Sequence, residues 1–220
     1  GTTSRLPPAW GSDWMDTRVY GTNGCWWGLR LKPQTYNRYT ANDMRASAWI
    51  NQPWNHDTLQ SLQVTTVPNW YAGKAAPKFY NRRANGTPGS NLTHPDTDYP
   101  MFRLAEAYLI YAEATARGAA GGNAGTALSY VNAIRTRAGL GAWAAAPLDS
   151  VFAERSRELR WEGKRRTDLI RFGLFTGGSY VWDWKGNAQA GTTTDAHFNL
   201  YPIPSNELIA NPNMRQNTGY

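Results

Sequence analysis

At 220 residues the chain is long enough to bury a core as one large domain or two small ones, and its 23 Lys and Arg against 16 Asp and Glu leave a net charge of +7. No Lys/Arg-rich run stands free of acids, so the excess is set against neighbouring carboxylates and nucleic-acid binding is excluded as a reading. The single cysteine, Cys25, rules out an internal disulfide and a cysteine-built zinc site and reads as a small packed thiol. No signal segment and no apolar run of about twenty residues occurs, which predicts a soluble chain.

Residues 1–100 read as a loop-rich, Trp-rich region in which Gly, Pro, Asn and Thr recur every few positions. Within it, Asn42 to Trp54 has helical spacing, with Met44, Ala48 and Trp49 toward one side, until Pro53 ends it. Leu62 to Val67 alternates weakly, as a strand would. Asn81 to Pro100 is punctuated by Asn85-Gly86, Pro88-Gly89 and His94-Pro95 and is predicted to be loop.

Residues 101–220 change character and become helical, in continuity with the first region as one domain. Phe102 to Arg117 places Leu104, Ala105, Tyr108, Leu109 and Ala112 on one face, with Gly118 at the left-handed cap position. Ala124 to Ala138 repeats the device with Leu128, Val131, Ile134 and Ala138 before Gly139. A third helix is expected to start after Asp149 or Ser150 as caps and to run to Gly163. Paired helices separated by Gly-rich turns match tetratricopeptide-like hairpins in size, so the fold class is mainly α. Pro202 and Pro204 exclude helix around them, and a short helix capped by Ser205 or Asn206 follows.

Glu154, Glu158 and Glu162 recur every four residues on the third helix and so stack on one face, where they repel one another. One reading makes them the carboxylate pair of a glycoside hydrolase, with Asp57 or Asp183 as distant alternatives, because crowding raises a carboxyl pKa. The other makes them a structural lattice neutralised by Arg155, Arg157, Arg165 and Arg166 of the same segment and by Arg135 and Arg137 of the preceding helix. The second is preferred, and no catalytic residue is assigned.

Of 11 tryptophans, Trp10, Trp14, Trp26, Trp27, Trp49, Trp54 and Trp70 fall in the irregular region, where helical packing does not call for them. An indole face stacks on the C–H face of a pyranose, and neighbouring amides and carboxylates bind its hydroxyls. The candidate ligand-binding residues are therefore Trp26, Trp27, Trp54, Asn55, Asp57, Trp70 and Tyr71. Adjacent Trp26 and Trp27 lead, since neighbours in an extended chain point to opposite faces. The competing reading is a satellite core beneath long loops. His56, His94 and His197 lie far apart in sequence, so no metal site and no cofactor are expected.

An ordered series runs through the second half: Arg103 to Ala114 (RLAEAYLIYAEA), Tyr130 to Gly139 (YVNAIRTRAG), Glu154 to Arg171 (ERSRELRWEGKRRTDLIR), Leu200 to Pro204 (LYPIP), Glu207 to Pro212 (ELIANP) and Gln216 to Tyr220 (QNTGY). In this order the segments resemble the carboxy-terminal part of the SusD/RagB family, the surface lipoproteins with which Bacteroidota capture glycans and other nutrients. Asp43-Met44-Arg45 resembles an Asp-x-Arg element that family members carry upstream. The resemblance implies a SusD-like helical fold whose tail packs back across the helices. It further implies a non-enzymatic glycan ligand, a SusC-like TonB-dependent transporter as partner and an outer-membrane, cell-surface location. The amino-terminal part of the family, with its lipid anchor, would lie outside this sequence. A structural helical-repeat module without a glycan ligand is the remaining alternative.

Overall fold

Glycines set the ends of the helices that frame this protein. The computed structural model describes residues 20–23, 31–46 and 78–220, within two compact units, Gly1–Lys164 and Arg165–Tyr220. The described helices of the first unit are α1 (Pro33–Tyr36), α2 (Leu104–Ala116), α3 (Ala124–Arg137) and α4 (Leu148–Glu158). After α2, Gly118 takes φ +83° and the Ala119 N–H closes on the Ala114 carbonyl at 3.0 Å. After α3, Gly139 takes φ +77° and Leu140 reaches the Arg135 carbonyl at 2.9 Å. Both are left-handed caps of the kind the sequence predicts, and they satisfy carbonyls the helix leaves orphaned. At the other end of α3 the Asn123 side chain accepts from the Thr126 N–H at 2.9 Å.

Packing α2 on α3 and α4 builds the core from Leu109, Ala112, Ala127, Val131, Ile134, Val151 and Leu159. The expected inward face of α3 is found, except that Leu128 is half-buried and Ala127 takes its place. On α2 Leu109 and Ala112 of the expected face are buried and Ala105 and Tyr108 pack against the core, but the face is turned at its start: Leu104 is 65 % exposed, and Glu106 and Glu113 are buried. Charge pairing explains the turn, because Lys164 reaches Glu106 at 3.0 Å and Arg117 reaches Glu113 at 3.0 Å. Tyr108 stacks on Tyr130 with ring centres 4.2 Å apart, closing the α2–α3 hairpin at its edge.

Three helix boundaries differ from expectation. Pro147 is the N-cap of α4, so the helix begins at Leu148 and Asp149 and Ser150 lie inside its first turn instead of capping it. Asp149 is there favoured by the helix dipole. Second, α4 ends at Glu158 and does not run to Gly163, because Trp161 adopts φ +64° and Gly163 φ +68°. Third, Pro204 occupies the N-cap of α6 (Ser205–Ala210), and neither Ser205 nor Asn206 caps it.

Among the described residues no β-strand occurs, and isolated antiparallel bridges join Arg82 to Pro88 and Gly177 to Thr194. The expected strand at 62–67 and Cys25 lie outside the described residues, as does the helix predicted from Asn42 beyond a 3₁₀ turn at Met44–Ala46. Met44, at the start of that turn, is exposed. The loop 78–100 is organised by the buried Asn81 side chain, which donates to the Gly21 and Asn91 carbonyls at 2.7 and 2.9 Å and accepts from the Asp96 N–H at 3.0 Å. No helix among the described residues is long and apolar enough to cross a membrane.

The second unit contains α5 (Arg165–Arg171), two 3₁₀ turns (Lys185–Asn187 and Ala196–Asn199) and α6. Its tail is held by the Gln216 side-chain amide, which accepts from the Ile203 N–H at 2.8 Å and donates to the Ile203 carbonyl at 2.9 Å. Leu109→Ala should cost about 3 kcal/mol in urea melts, the range for a buried leucine. Leu104→Ala should stay within about 0.5 kcal/mol. Equal losses would mean that the α2 face is not turned as described.

Candidate functional site

The carboxylate row is closed to solvent: Glu154 is 0 % exposed, Glu158 3 % and Glu162 3 %. A buried carboxylate is tolerable only when paired, and every oxygen of the row is. Arg45 donates to Oε1 of Glu154 at 2.7 Å and to Oε2 of Glu158 at 3.0 Å. Arg157 and Arg135 hold the other Glu154 oxygen, at 2.6 and 3.4 Å. Arg103 and Arg137 share Oε1 of Glu158. Arg103 also binds Glu162 in fork geometry, through Nε at 2.6 Å and Nη2 at 2.7 Å, while Lys78 donates to the same carboxylate.

Five parts of the chain meet in this lattice. Helix α4 supplies Glu154 and Glu158 four residues apart, and the left-handed turn at Trp161 returns Glu162 to their side after the helix has ended. Asp43 fixes Arg45 through both its oxygens, at 2.9 Å to Nε and 2.8 Å to Nη2. The end of α3 brings Arg135 and Arg137, and the N-cap of α2 brings Arg103. Lys78 further donates to the Glu158 and Arg160 carbonyls at 2.8 and 2.6 Å, which are free because α4 stops there. Trp143 covers the lattice at one side, with the Arg135 guanidinium 4.0 Å from its ring centre.

Arg135, Arg137 and Arg157 are the partners that the sequence nominates. Arg155 is not: it lies 3.7 Å from Glu113 on α2, because one residue's advance along a helix rotates the side chain by about 100° away from the Glu154 face. Arg165 and Arg166 belong to the second unit, where Arg165 donates to the Tyr180 hydroxyl at 3.2 Å and Arg166 to backbone carbonyls. The sequence reasoning missed Arg45, Arg103 and Lys78 as partners, although the Asp43-Met44-Arg45 pattern was a usable signal.

Burial pushes the Glu158 carboxyl upward, but Arg103, Arg137 and Arg45 outweigh it and hold the group at about 2, below its ordinary 4.5. Burial lowers Lys78 to about 8 in spite of Glu162. For Arg45, burial is outweighed by Asp43 and Glu154, and its pKa is raised. A carboxylate held at about 2 is ionised at neutral pH and has no proton to give a leaving group. A cleft of about 260 Å³ lies against the lattice, lined by Lys78, Phe79, Tyr80 and Arg103 together with Glu158 and Glu162.

The candidate ligand-binding residues Trp26, Trp27, Trp54, Asn55, Asp57, Trp70 and Tyr71 lie outside the described residues, and so does His56. His197 is engaged by Asp195, Nδ1 to Oδ1 2.7 Å. Among the described residues no group of three His, Cys, Asp or Glu side chains is placed to hold a metal ion. Asp183 is half-buried in the second unit.

With the lattice in view the comparison with known proteins is direct: the SusD family profile matches residues 16–220, so the match reaches well upstream of the carboxy-terminal half and takes in Asp43 and Arg45. The chain belongs to the SusD family. It is 41 % identical over 162 residues to the starch-binding protein SusD of Bacteroides thetaiotaomicron, an overlap covering 73 % of this chain and 28 % of that protein. It is 36 % identical over 157 residues to SusD-like protein P2 of Formosa agariphila, covering 65 % of this chain and 30 % of that one. A solved SusD superfamily structure from Parabacteroides distasonis superposes with TM-score 0.62 at 22 % identity, over 93 % of this chain and 46 % of that chain, which places the SusD fold here. The chain spans less than a third of the length of the two curated relatives.

A depressed carboxylate pKa adds stability that is fully present above its unfolded value and is lost as pH falls through the folded one. Glu158→Gln should therefore cost about 3 kcal/mol at pH 7. The gap between parent and variant should narrow from about pH 4.5 down to about 2. Thermal melts across that range measure it, and a loss below about 0.5 kcal/mol at pH 7 would mean an exposed, weakly coupled pair.

Proposed function

We propose that this protein of the SusD family binds an oligosaccharide or polysaccharide at the bacterial cell surface, without cleaving it, and delivers it to a SusC-like TonB-dependent transporter in the outer membrane. The whole protein would be tethered there by an amino-terminal lipid. The observation that carries the reading is the 41 % identity to a starch-binding protein over 73 % of this chain. The site geometry supports its non-catalytic half. Every oxygen of the Glu154, Glu158 and Glu162 row is committed to a cation, and Glu158 is held ionised, so none serves as the acid of a hydrolase pair.

Ligand contact is assigned to the aromatic loops, led by Trp26 and Trp27, with Trp54, Asn55, Asp57, Trp70 and Tyr71 in support. An indole stacked on a pyranose contributes through apolar contact, and the amide and carboxylate beside it supply direction. Electrophoresis through gels containing soluble starch or other polysaccharides should retard the parent chain, and Trp26→Ala or Trp27→Ala should relieve the retardation. No reducing ends should appear at any protein concentration. Reducing-end release that Glu158→Gln abolishes in a folded variant would replace this reading with glycoside hydrolysis.

A further inference from the structure

The second unit carries an aromatic recess of about 320 Å³. Phe175, Trp182, Trp184, Phe198, Tyr201 and Tyr220 line it together with Arg166 and Lys185, and no Asp or Glu side chain does. These rings are not core. Leu169 alone among the apolar side chains of residues 165–220 is buried, while Tyr201 is 69 % exposed and Phe198 and Tyr220 are exposed as well.

The rings are nevertheless held in place. Phe175 stacks on Trp182 with centres 5.9 Å apart, and the Tyr220 hydroxyl donates to the Leu200 carbonyl at 2.9 Å. The Lys185 ammonium, buried beneath, donates to the Gly177 and Tyr180 carbonyls at 2.7 Å each and lies 4.7 Å from the Trp182 ring centre. It thereby fixes the loop that presents Trp182. Preorganised rings of this kind lose little entropy when a ligand arrives.

Arg166 gives the recess its chemistry. Its guanidinium carbon lies 3.9 Å from the centre of the Tyr201 ring and 4.9 Å from that of Phe175, and Nη2 donates to the Phe198 and Asn199 carbonyls at 2.8 and 3.2 Å. Nearby on the same helix, Arg171 is paired with Asp168 at 2.7 Å. Arg166 has no carboxylate partner among the described residues, and its Nε and Nη1 hydrogens have no protein acceptor there. Its charge is therefore uncompensated in a concave, ring-lined setting.

We infer that this recess is a sugar-binding subsite for a ring carrying a carboxylate or a sulfate, with the aromatic lining, Tyr201 included, against the ring's C–H face and Arg166 paired to the anion. A purely apolar ligand would strip water from Arg166 and return no acceptor. A neutral sugar supplies hydroxyl acceptors but leaves the charge of Arg166, and of Lys185 below it, unanswered. An anionic sugar satisfies both features, since charge-assisted bonds to a guanidinium are the strong ones. The inference rests on the glycan-binding reading and narrows its substrate class.

Titration calorimetry of the full chain tests it with three probes: maltoheptaose as the neutral arm, hexagalacturonate as the carboxylate arm and a κ-carrageenan hexasaccharide as the sulfate arm. One acidic probe should bind more tightly than maltoheptaose and weaken as salt is raised. Arg166→Gln and Tyr201→Ala should each weaken that probe about tenfold or more, the loss expected for a charged hydrogen bond or a stacking face. Tyr201 is exposed, so its variant tests the subsite even if Arg166→Gln disturbs the carbonyls it holds. Acidic probes that bind no tighter than maltoheptaose, or that bind both variants as they bind the parent, overturn the subsite and leave the glycan-binding reading standing. A parent that binds no glycan in either this assay or the polysaccharide gels overturns both.

Discussion

Burying a row of carboxylates is the constraint around which the first unit is arranged. An isolated carboxylate in a packed interior is strongly disfavoured, so Glu154, Glu158 and Glu162 dictate that cations be brought to them from wherever the chain can supply them. Segments 31–46 and 78–100 have little regular structure and few buried apolar side chains of their own. Arg45 and Lys78 tie both of them to α4, and Arg103 does the same for the start of α2. Such a lattice need not be more stable than an apolar replacement of equal volume, but losing one member leaves its partner charged and dry. Its direct consequence is position: loops that would otherwise have no fixed address acquire one.

The same constraint accounts for the strained turn after α4. A non-glycine residue in left-handed backbone costs on the order of 1–2 kcal/mol, and Trp161 adopts it at φ +64°. Two contacts over-determine the turn. Trp161 packs against the small cluster of Leu31, Tyr39 and Ala46, and Glu162 is clamped by Arg103 and Lys78. Because the helix stops at Glu158, the carbonyls of Glu158 and Arg160 are left for Lys78 to satisfy. A continued helix would have consumed the first of them and given Lys78 less to hold.

What was legible in the sequence follows from this physics. Helix existence, the glycine caps at Gly118 and Gly139, and the neutralisation of the glutamate row by arginines came from local periodicity and chirality, which a sequence carries openly. Half of the cations did not. Arg45, Lys78 and Arg103 lie 55 to 113 residues from their partners, and spacing rules reach only along one helix. The end of α4 was hidden for a related reason: the four-residue rhythm continues through Glu162 although the helix does not. On α2, an apolar pattern pointed Leu104 inward, and pairing of Glu106 and Glu113 with Lys164, Arg117 and Arg155 turned the face instead.

The two units treat charge in opposite ways, and this bears on where recognition resides. In the lattice all six carboxylate oxygens of the row accept from a cation, which leaves it no acceptor to offer a ligand except at the cost of a structural contact. The second unit has almost no buried apolar side chains and is held by carbonyl contacts, a folded-back tail and stacked rings, so its aromatic surface stays at the solvent boundary. Recognition of a hydrated, polyhydroxylated ligand requires flat apolar area and donors that are both fixed in place and not yet satisfied. Saturated networks give rigidity, and unsaturated ones give binding. By that criterion the glutamate row is scaffold, and the ligand contacts proposed above are sought on aromatic surfaces carrying incompletely paired polar groups, of which Arg166 beside Tyr201 is an instance.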